Sequence, residues 1–234
     1  MPKDTLRNDL ELYDRVAAQW WSDDVRWIRT LKNMVPGRLS YFDTLVSWEG
    51  CDVLDLGCAG GFMAEALADR GARVTGIDPA ADAIAAAQAH AAGRGIQYDV
   101  GVGEELPYED AAFDHVVCVD VLEHVQDLGQ VCREVARVLR PCGTFLFDTI
   151  NRNPLSRFGV ITVAEDILGL LPKGTHDPDM FIKPGELRAA LTTAGLEMHA
   201  ITGLGPRGVT RRLDPTFGRL PFTGLIYMGH ATKS

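Results

Sequence analysis

The sequence predicts an α/β domain in which a mostly parallel, seven-stranded sheet is covered by helices on both faces. Short apolar segments alternate with helical ones between residues 52 and 149, which is typical of parallel strands joined by crossover helices. The first apolar segment, 52–56, runs directly into a glycine-rich turn at 57–61. The length of 234 residues suits one such domain with a modest cap.

The individual elements follow from hydrophobic periodicity and from the positions of glycine and proline. Helices are predicted over 10–21, 31–48 (with a break near Pro36 and Gly37), 62–70, 80–92, 125–139, 155–171 and 183–194. Strands are predicted over 52–56, 73–78, 96–102, 113–119 and 144–149, and near 198–202 and 224–231. We expect one domain with four parts: a helical cap (1–48), a core (49–150), an α-helical cap insertion (151–195) and closing strands of the same sheet (196–234).

Composition and charge exclude several classes of protein. The net charge of −9 argues against a nucleic-acid partner, because neutralising a phosphate backbone requires a basic surface. The five cysteines form no C-x-x-C pair and no zinc spacing, so reduced thiols are expected. No apolar run reaches the roughly 20 residues that span a bilayer, and the N-terminus lacks the apolar stretch of a signal peptide. We therefore expect a cytoplasmic protein.

The turn after the first strand has the features of a nucleotide site. Gly57 and Gly61 would let a ligand approach the backbone, and the following helix would point its free N–H groups at that ligand. Asp78 ends the second strand, 21 residues after Gly57, where a carboxylate can accept both hydroxyls of a ribose. An alternative is that Asp78 only caps the next helix, and NAD enzymes share the same spacing.

A second polar cluster follows the fourth strand. On a helical turn, Asp120, Glu123 and His124 would lie at i, i+3 and i+4, on one face. Two carboxylates and an imidazole could bind a divalent ion such as Mg²⁺ or provide a general base. The alternative is a capping box, with Asp120 as the N-cap and Glu123 as its partner.

The glycine turn also resembles that of S-adenosylmethionine-dependent methyltransferases. Their pattern is D-x-G-x-G-x-G, and here Asp55 precedes a G-x-A-x-G turn in which Ala59 replaces the central glycine. That replacement should be tolerated if the φ angle of Ala59 is negative. The stretch 104–108, leading into 113–117, resembles the segment that wraps the adenine in this class. The resemblance implies a Rossmann-like class I methyltransferase fold, with S-adenosylmethionine as cofactor and Asp55, Gly57 and Gly61 at its binding site.

Longer motifs resemble one family in particular, the ubiquinone-biosynthesis O-methyltransferases. The matching stretches cover nearly the whole chain: 18–21, 119–125, 147–152, 171–177, 181–184 and 201–203. The P-K-G-T-H-D and F-I-K-P blocks are the most diagnostic, because they lie outside the generic cofactor fold. Members of this family methylate a phenolic hydroxyl of a polyprenylated catechol. The resemblance implies that Gly57 and Asp78 hold the cofactor, that Val119 flanks its adenosine and that Arg38 reaches it from the cap.

The resemblance also indicates which residues lie beside the molecule that accepts the methyl group. We expect His124 to be the general base, with Glu123 and Asp120 orienting it or holding a cation, and His176 as a second candidate base. His176 and Lys173, in the loop after the insertion, are expected on the substrate side. The resemblance implies that the methyl acceptor is a small aromatic molecule. Its identity stays open, because residues 25–36 and 205–223 depart from the family pattern.

Two further questions stay open at the level of sequence. The apolar insertion 155–171 could cover the acceptor pocket as a buried cap or make peripheral contact with a membrane. The alternative functions are methylation at O, N or C of an aromatic specialised metabolite, cofactor binding without catalysis, and an NAD-binding module.

Overall fold

The computed structural model describes residues 11–233, apart from the side chain of residue 166. The α-helices are α1 (Glu11–Arg15), α2 (Arg26–Phe42), α3 (Phe62–Ala68), α4 (Ala81–His90), α5 (Leu128–Val138), α6 (Pro154–Ser156) and α7 (Pro184–Thr193). Two 3₁₀ turns, Ala17–Gln19 and Leu122–His124, and a π-helix, Arg157–Ile167, complete the helical elements of this part of the chain. The predicted helix over 10–21 corresponds to α1 and the first 3₁₀ turn, and its first residue lies outside the described range.

Nine strands within residues 11–233 form a single sheet. They are β1 (Asp52–Leu56), β2 (Arg73–Asp78), β3 (Gln97–Val100), β4 (Phe113–Cys118), β5 (Leu139–Ile150), β6 (Leu196–Met198), β7 (Thr202–Val209), β8 (Pro215–Leu220) and β9 (Ile226–Lys233). Their order is β3-β2-β1-β4-β5-β9-β7-β8, and β6 also pairs with β9. Strands β1 to β5 are mutually parallel, whereas β9 runs antiparallel to β5. The strand order therefore reverses between β1 and β4, where α/β folds bind their ligands.

The α/β prediction is confirmed, and the strand count differs from it by two. One predicted strand near 198–202 is divided into β6 and β7, and β8 was not predicted. The hairpin of β7 and β8 contains Pro206 and several glycines, so it lacks the alternating apolar pattern of a half-buried strand. Its strands are held by pairing: β7 pairs with β9 on one side and with β8 on the other.

Helices pack on both faces of the sheet, as predicted. On one face Val53, Val117 and Leu146 are completely buried in a core that includes residues of α2, α3 and α4. On the other face Leu54 and Val116 are buried in a core with residues of α5 and α7. The period-2 alternation along β1 and β4 thus places successive apolar side chains in separate cores.

The predicted break of the second helix near Pro36 is wrong, because α2 continues through this residue. Pro36 is exposed, and so is Lys32, whose carbonyl would otherwise pair with the missing N–H group. Water can therefore satisfy that carbonyl. The neighbouring Gly37 is required for a different reason: a Cβ atom there would lie 2.7 Å from the carbonyl oxygen of Phe217 in β8.

The insertion is a π-helix rather than an ordinary α-helix. Asn153 caps the short helix α6 that precedes it, accepting hydrogen bonds from the backbone N–H groups of Leu155 and Ser156 at 2.9 and 3.0 Å. Val160 and Ile161 are buried on one side of the π-helix. The other side leaves apolar side chains exposed: Leu155, Phe158, Ile167 and Leu168. In the part of the chain that is described, no helix has the length and apolar character needed to cross a bilayer.

Candidate active site

The glycine turn after β1 has the conformation that its sequence requires. Gly57 and Gly61 have φ angles of 77° and 93°, in the left-handed region that favours glycine. A Cβ atom at Gly57 would lie 2.1 Å from Cγ2 of Val121, so this position also has no space for a side chain. The condition for tolerating Ala59, a negative φ, is not met, because its φ is 43°. The turn therefore keeps a glycine-like backbone with alanine in the central position.

Asp78 holds the turn from the end of β2. Its Oδ2 accepts a hydrogen bond from the backbone N–H of Ala59 and its Oδ1 accepts one from Ala80, both at 2.9 Å. The contact with Ala59 explains how a non-glycine residue is kept at positive φ. Burial raises the pKa of Asp78 above its ordinary value. The helix-capping alternative is wrong, because Ala80, not Asp78, is the N-cap residue of α4. Contact of Asp78 with a ribose stays a prediction.

A cavity of about 310 Å³ opens at the point where the strand order reverses. Five of the six residues predicted to bind the cofactor line it: Arg38, Asp55, Gly57, Asp78 and Val119. The sixth, Gly61, is the N-cap of α3. Residues of the N-terminal segment also line it, namely Glu11, Tyr13, Asp14 and Trp20. Sequence reasoning missed this contribution, although the Trp20-Trp21 pair was recognised as a family motif.

The chemistry of the cavity fits a cofactor with cationic groups. Oδ2 of Asp55 is buried and has no hydrogen-bond partner, so the residues present leave one acceptor open for a ligand. Burial raises the pKa of Asp55 to about 7, against a smaller lowering by the backbone N–H of Ala64. A bound ammonium or sulfonium group would favour the ionised carboxylate. These properties suit the amino and sulfonium groups of S-adenosylmethionine.

Arg38 joins the cap to the chemical end of the cavity through two carboxylates. Its Nε donates to Oδ2 of Asp148 at 2.6 Å, and its Nη2 forms an ion pair with Asp120. The backbone N–H of Asp120 donates to Oδ1 of Asp148 at 2.8 Å. Burial alone would lower the pKa of Arg38, but the two carboxylates raise it above its ordinary value. Asp148 was missed, because only the fold brings it to Arg38.

The structure groups different residues around Glu123 from those predicted. Glu123, His124 and His176 each offer a ligand atom, and these atoms lie within 4.8 Å of one another. Asp120 is directed to Arg38 instead, so the predicted set of Asp120, Glu123 and His124 is not the one that comes together. Asp120 has a φ of 55° and therefore precedes the turn Leu122–His124 rather than belonging to it.

The capping-box alternative for this segment is wrong. Val121 occupies the N-cap position of the turn, and no side chain caps it. Glu123 faces inward, where its Oε2 accepts a hydrogen bond from the hydroxyl of Thr149 at 2.7 Å. Its other oxygen, Oε1, is buried and has no hydrogen-bond partner among residues 11–233. A buried acceptor of this kind is expected at a site that receives a proton, a metal or a ligand.

Burial shifts the pKa values of Glu123 and His124 in the directions that favour their neutral forms. It raises the pKa of Glu123 to about 8, with a further contribution from Asp120. It lowers the pKa of His124 to about 3, with a further contribution from His176. At neutral pH both groups are therefore uncharged, and His124 is a much weaker base than an ordinary histidine.

The insertion positions His176 through Glu165. Oε1 of Glu165 lies 2.7 Å from Nδ1 of His176 and also accepts the backbone N–H of His176 at 3.2 Å. Oε2 accepts the backbone N–H of Gly174 at 3.0 Å. Glu165 belongs to the π-helix, an element that is frequent at functional sites. Sequence reasoning missed Glu165, because it placed this segment only as an apolar cap. The predicted substrate residue Lys173 is exposed, and the described residues that line the 310 Å³ cavity do not include it or His176.

Comparison with known proteins identifies the class. A methyltransferase domain family matches residues 54–147. An S-adenosylmethionine-dependent methyltransferase from Thermotoga maritima has a similar fold, with a TM-score of 0.66 and 17% identity over 96% of this chain and 99% of that one. A second, from Mesorhizobium loti, gives a TM-score of 0.61 and 21% identity over 86% and 98%. The chain is a class I S-adenosylmethionine-dependent methyltransferase, so the NAD-binding alternative no longer applies.

Relatives with higher identity narrow the class to a family. An enzyme named ubiquinone biosynthesis O-methyltransferase from Marinobacter nauticus is 39% identical over 210 residues, 88% of each chain. Enzymes of the same name from Paracidovorax citrulli and Chromobacterium violaceum are 40% and 37% identical over 87% of this chain. The chain belongs to the ubiquinone biosynthesis O-methyltransferase family.

Proposed function

We propose that this enzyme transfers a methyl group from S-adenosylmethionine to a phenolic hydroxyl of a catechol-like quinone precursor that carries a polyprenyl chain. The observation that carries the proposal is the buried group of Glu123, His124 and His176, which meets the cofactor cavity at His124. A phenol must lose a proton when its oxygen is methylated, and this cluster provides acceptors at the required end of the cavity. The relatives' shared name supports the choice of acceptor.

The residues of the cavity hold the cofactor and align it with the acceptor. Arg38, Asp55, Gly57 and Asp78 contact the methionine and ribose portions, and Val119 flanks the adenosine. When bound, the cofactor would supply an electrophilic methyl group on a sulfonium sulfur, and the phenolic oxygen would gain this methyl as the carbon–sulfur bond breaks. The residues of this chain would contribute mainly alignment and removal of the phenolic proton.

We assign His176 as the general base in this scheme, because Glu165 holds its ring beside His124, which lines the cavity. The carboxylate of Glu165 fixes the orientation of the ring and favours the tautomer with its proton on Nδ1. His124 has a pKa of about 3, so it instead accepts a hydrogen bond from the phenol that is methylated, or it relays the proton. The rings of the two histidines lie 5.1 Å apart between centroids. This assignment exchanges the predicted roles of the two residues.

The cluster of Glu123, His124 and His176 is also the place where the predicted metal ion would bind. It offers one carboxylate and two imidazoles, whereas Mg²⁺ prefers an oxygen-only shell. Its donors therefore fit Zn²⁺ or Mn²⁺ better than Mg²⁺. Activity and melting temperature should be measured after dialysis against EDTA and after each ion is returned. Recovery with Zn²⁺ or Mn²⁺ alone supports a metal site, and no change after EDTA assigns the cluster to proton transfer.

We propose that the exposed apolar side of the insertion contacts a lipid surface, where a polyprenylated acceptor would be embedded. Phe158 and Ile167 are 57% and 67% exposed, and Leu155 and Leu168 lie on the same element or next to it. Co-sedimentation with neutral and anionic liposomes tests this surface. Phe158→Asp should reduce binding, whereas Leu213→Asp, at an equally exposed leucine outside the insertion, should not. Absence of binding by the unmodified protein to either type of liposome would refute it.

An acceptor panel tests the proposed reaction. Deuterated S-adenosylmethionine should be incubated with a prenylated catechol, its dimethyl ether, an unprenylated catechol, an aromatic amine and an aromatic specialised metabolite with a single phenol. The proposal predicts product from the prenylated catechol with the highest kcat/KM and none from the dimethyl ether. Preference for the amine or for the unprenylated metabolite would favour the alternative acceptors. Binding of S-adenosylhomocysteine without product from any acceptor would indicate a non-catalytic protein.

A further inference from the structure

Asp148 occupies a central position between two residues of the cofactor cavity without lining the cavity itself within the described part of the chain. It lies near the end of β5 and is completely buried. Its two oxygens have different partners: Oδ2 accepts the Nε–H of Arg38 at 2.6 Å, and Oδ1 accepts the backbone N–H of Asp120 at 2.8 Å. One carboxylate thus joins the helix α2 of the cap to the loop after β4.

The backbone of Asp120 needs such an anchor. Its φ of 55° lies in the left-handed region, which is less favourable than the right-handed one for a residue with a side chain, although aspartate adopts it more readily than most. Conformations of this kind persist where the surroundings over-determine them, and they cluster at functional sites. Here the backbone N–H is bound by Asp148 and the carboxylate is paired with Arg38, so both ends of the residue are held.

The arrangement suits alignment better than stability. The side chains of Arg38 and Asp148 are 3% and 0% exposed, and a fully buried ion pair is weak evidence for stabilisation because both charges lose their hydration. Its geometric effect is definite, however. The guanidinium is fixed from one side by β5 and from the other by the loop after β4, at the cavity wall.

We propose that Asp148 is a positioning residue that fixes Arg38 and the backbone of Asp120 in the orientation that binds the cofactor. The inference rests on the proposed role of Arg38 as a cofactor ligand. It predicts that Asp148 does not contact the cofactor. Asp148 should affect cofactor affinity only by holding Arg38 and the loop after β4. The two residues should therefore be energetically coupled in cofactor binding.

The chain contains a matched control on the same helix. Arg29, also in α2, donates to Asp214 through Nε at 2.7 Å and Nη2 at 3.1 Å. Asp214 is 2% exposed, and it does not appear among the described residues that line the cavity. Asp214→Asn therefore removes a buried, arginine-paired carboxylate without affecting the proposed cofactor contacts.

Calorimetric titration with S-adenosylhomocysteine, together with melting temperatures, tests the inference on the full chain. Asp148→Asn should weaken binding about tenfold or more, the loss typical of a hydrogen bond to a charged group, and so should Arg38→Met. The double variant should bind more tightly than the product of the two single losses predicts, because both substitutions remove the same interaction between Arg38 and Asp148. Asp214→Asn should change affinity by less than about twofold even if its melting temperature falls.

The outcomes separate this inference from the proposal on which it rests. Normal affinity in Arg38→Met would refute the cofactor role of Arg38. Weakened binding in Arg38→Met with normal affinity in Asp148→Asn would refute the role of Asp148 alone. A multiplicative loss in the double variant would also refute it, because it would show independent effects. Asp148→Ser, which keeps an acceptor near the Asp120 N–H without the charge, allows the same comparison if the Asn variant does not fold.

Discussion

Replacing Glu165 with alanine should release the loop that carries His176. This carboxylate accepts hydrogen bonds from two backbone N–H groups, those of Gly174 and His176, and contacts the ring of His176 at 2.7 Å. Hydrogen bonds to a charged group contribute about 1.5–3 kcal/mol each. Gly174 is only half-buried, so its N–H group can bond to water when the carboxylate is removed. The local free-energy cost is therefore smaller than the sum of the three lost contacts, and we expect about 3 kcal/mol.

Hydrogen exchange on a peptide spanning 172–182 measures this release directly. A cost of about 3 kcal/mol should speed exchange of the Gly174 and His176 amides roughly 100-fold if they exchange through local opening. Glu165→Gln, which keeps the size and one acceptor, should have a smaller effect. In the same samples kcat should fall while affinity for S-adenosylhomocysteine stays constant, because the cofactor cavity is unchanged.

Glu186→Ala is a suitable control. Glu186 also caps a nearby element, accepting the N–H of Lys183 at 3.1 Å, but its side chain is 44% exposed. Its removal should leave exchange in 172–178 within about threefold of normal. Unchanged exchange of Gly174 and His176 in Glu165→Ala would refute the account of how this loop is held. Faster exchange with normal kcat would preserve that account but refute His176 as the base.

Three further predictions concern the cap and the glycine turn. Gly57→Ala combines a positive φ with a clash against Val121, so urea unfolding should show a loss of about 2–4 kcal/mol, and unchanged stability would contradict the strained turn. Burial raises the pKa of Asp55 in the folded protein to about 7, from an ordinary value of 3.8. Without cofactor, the folded protein should therefore lose stability as the pH rises through this interval, because Asp55 resists ionisation in the folded state. Relative to Asp55→Asn, the unmodified protein should lose at most about 4 kcal/mol between about pH 4 and pH 7, and parallel pH profiles of urea unfolding would contradict this. Pro36→Ala should stabilise α2 by about 1–3 kcal/mol in the same assay, and a loss of stability would show that Pro36 is not merely tolerated.

The parts of the fold that were predictable have local signals. Strand β1, its glycine turn and Asp78 at the end of β2 are specified by residues that are adjacent or separated by one crossover helix. The nearly continuous apolar character of the core strands also follows directly from burial on both faces. Three of the five predicted cofactor residues that line the cavity, Asp55, Gly57 and Asp78, come from these features, whereas Arg38 and Val119 were predicted only from the family resemblance.

Apart from the break predicted at Pro36, the errors have a common physical origin in contacts that form between distant segments. Pro36 is accommodated because it lies on the water side of α2, and the hairpin of β7 and β8 depends on pairing with β9. Asp120 looked available for a metal, but Arg38, 82 positions earlier in the sequence, pairs with it. Ala59 adopts a positive φ because the carboxylate of Asp78 binds its N–H. None of these partners can be identified from residues near in sequence.

The central claim is that the enzyme methylates a phenolic oxygen, and single-turnover transfer tests it most directly. Enzyme in excess should be mixed with deuterated S-adenosylmethionine and a prenylated catechol, and both products should be quantified by mass spectrometry with the methyl position assigned by NMR. The account predicts one aryl methyl ether for each S-adenosylhomocysteine formed. A methyl group attached to ring carbon, or S-adenosylhomocysteine formed without a methylated catechol, would contradict it.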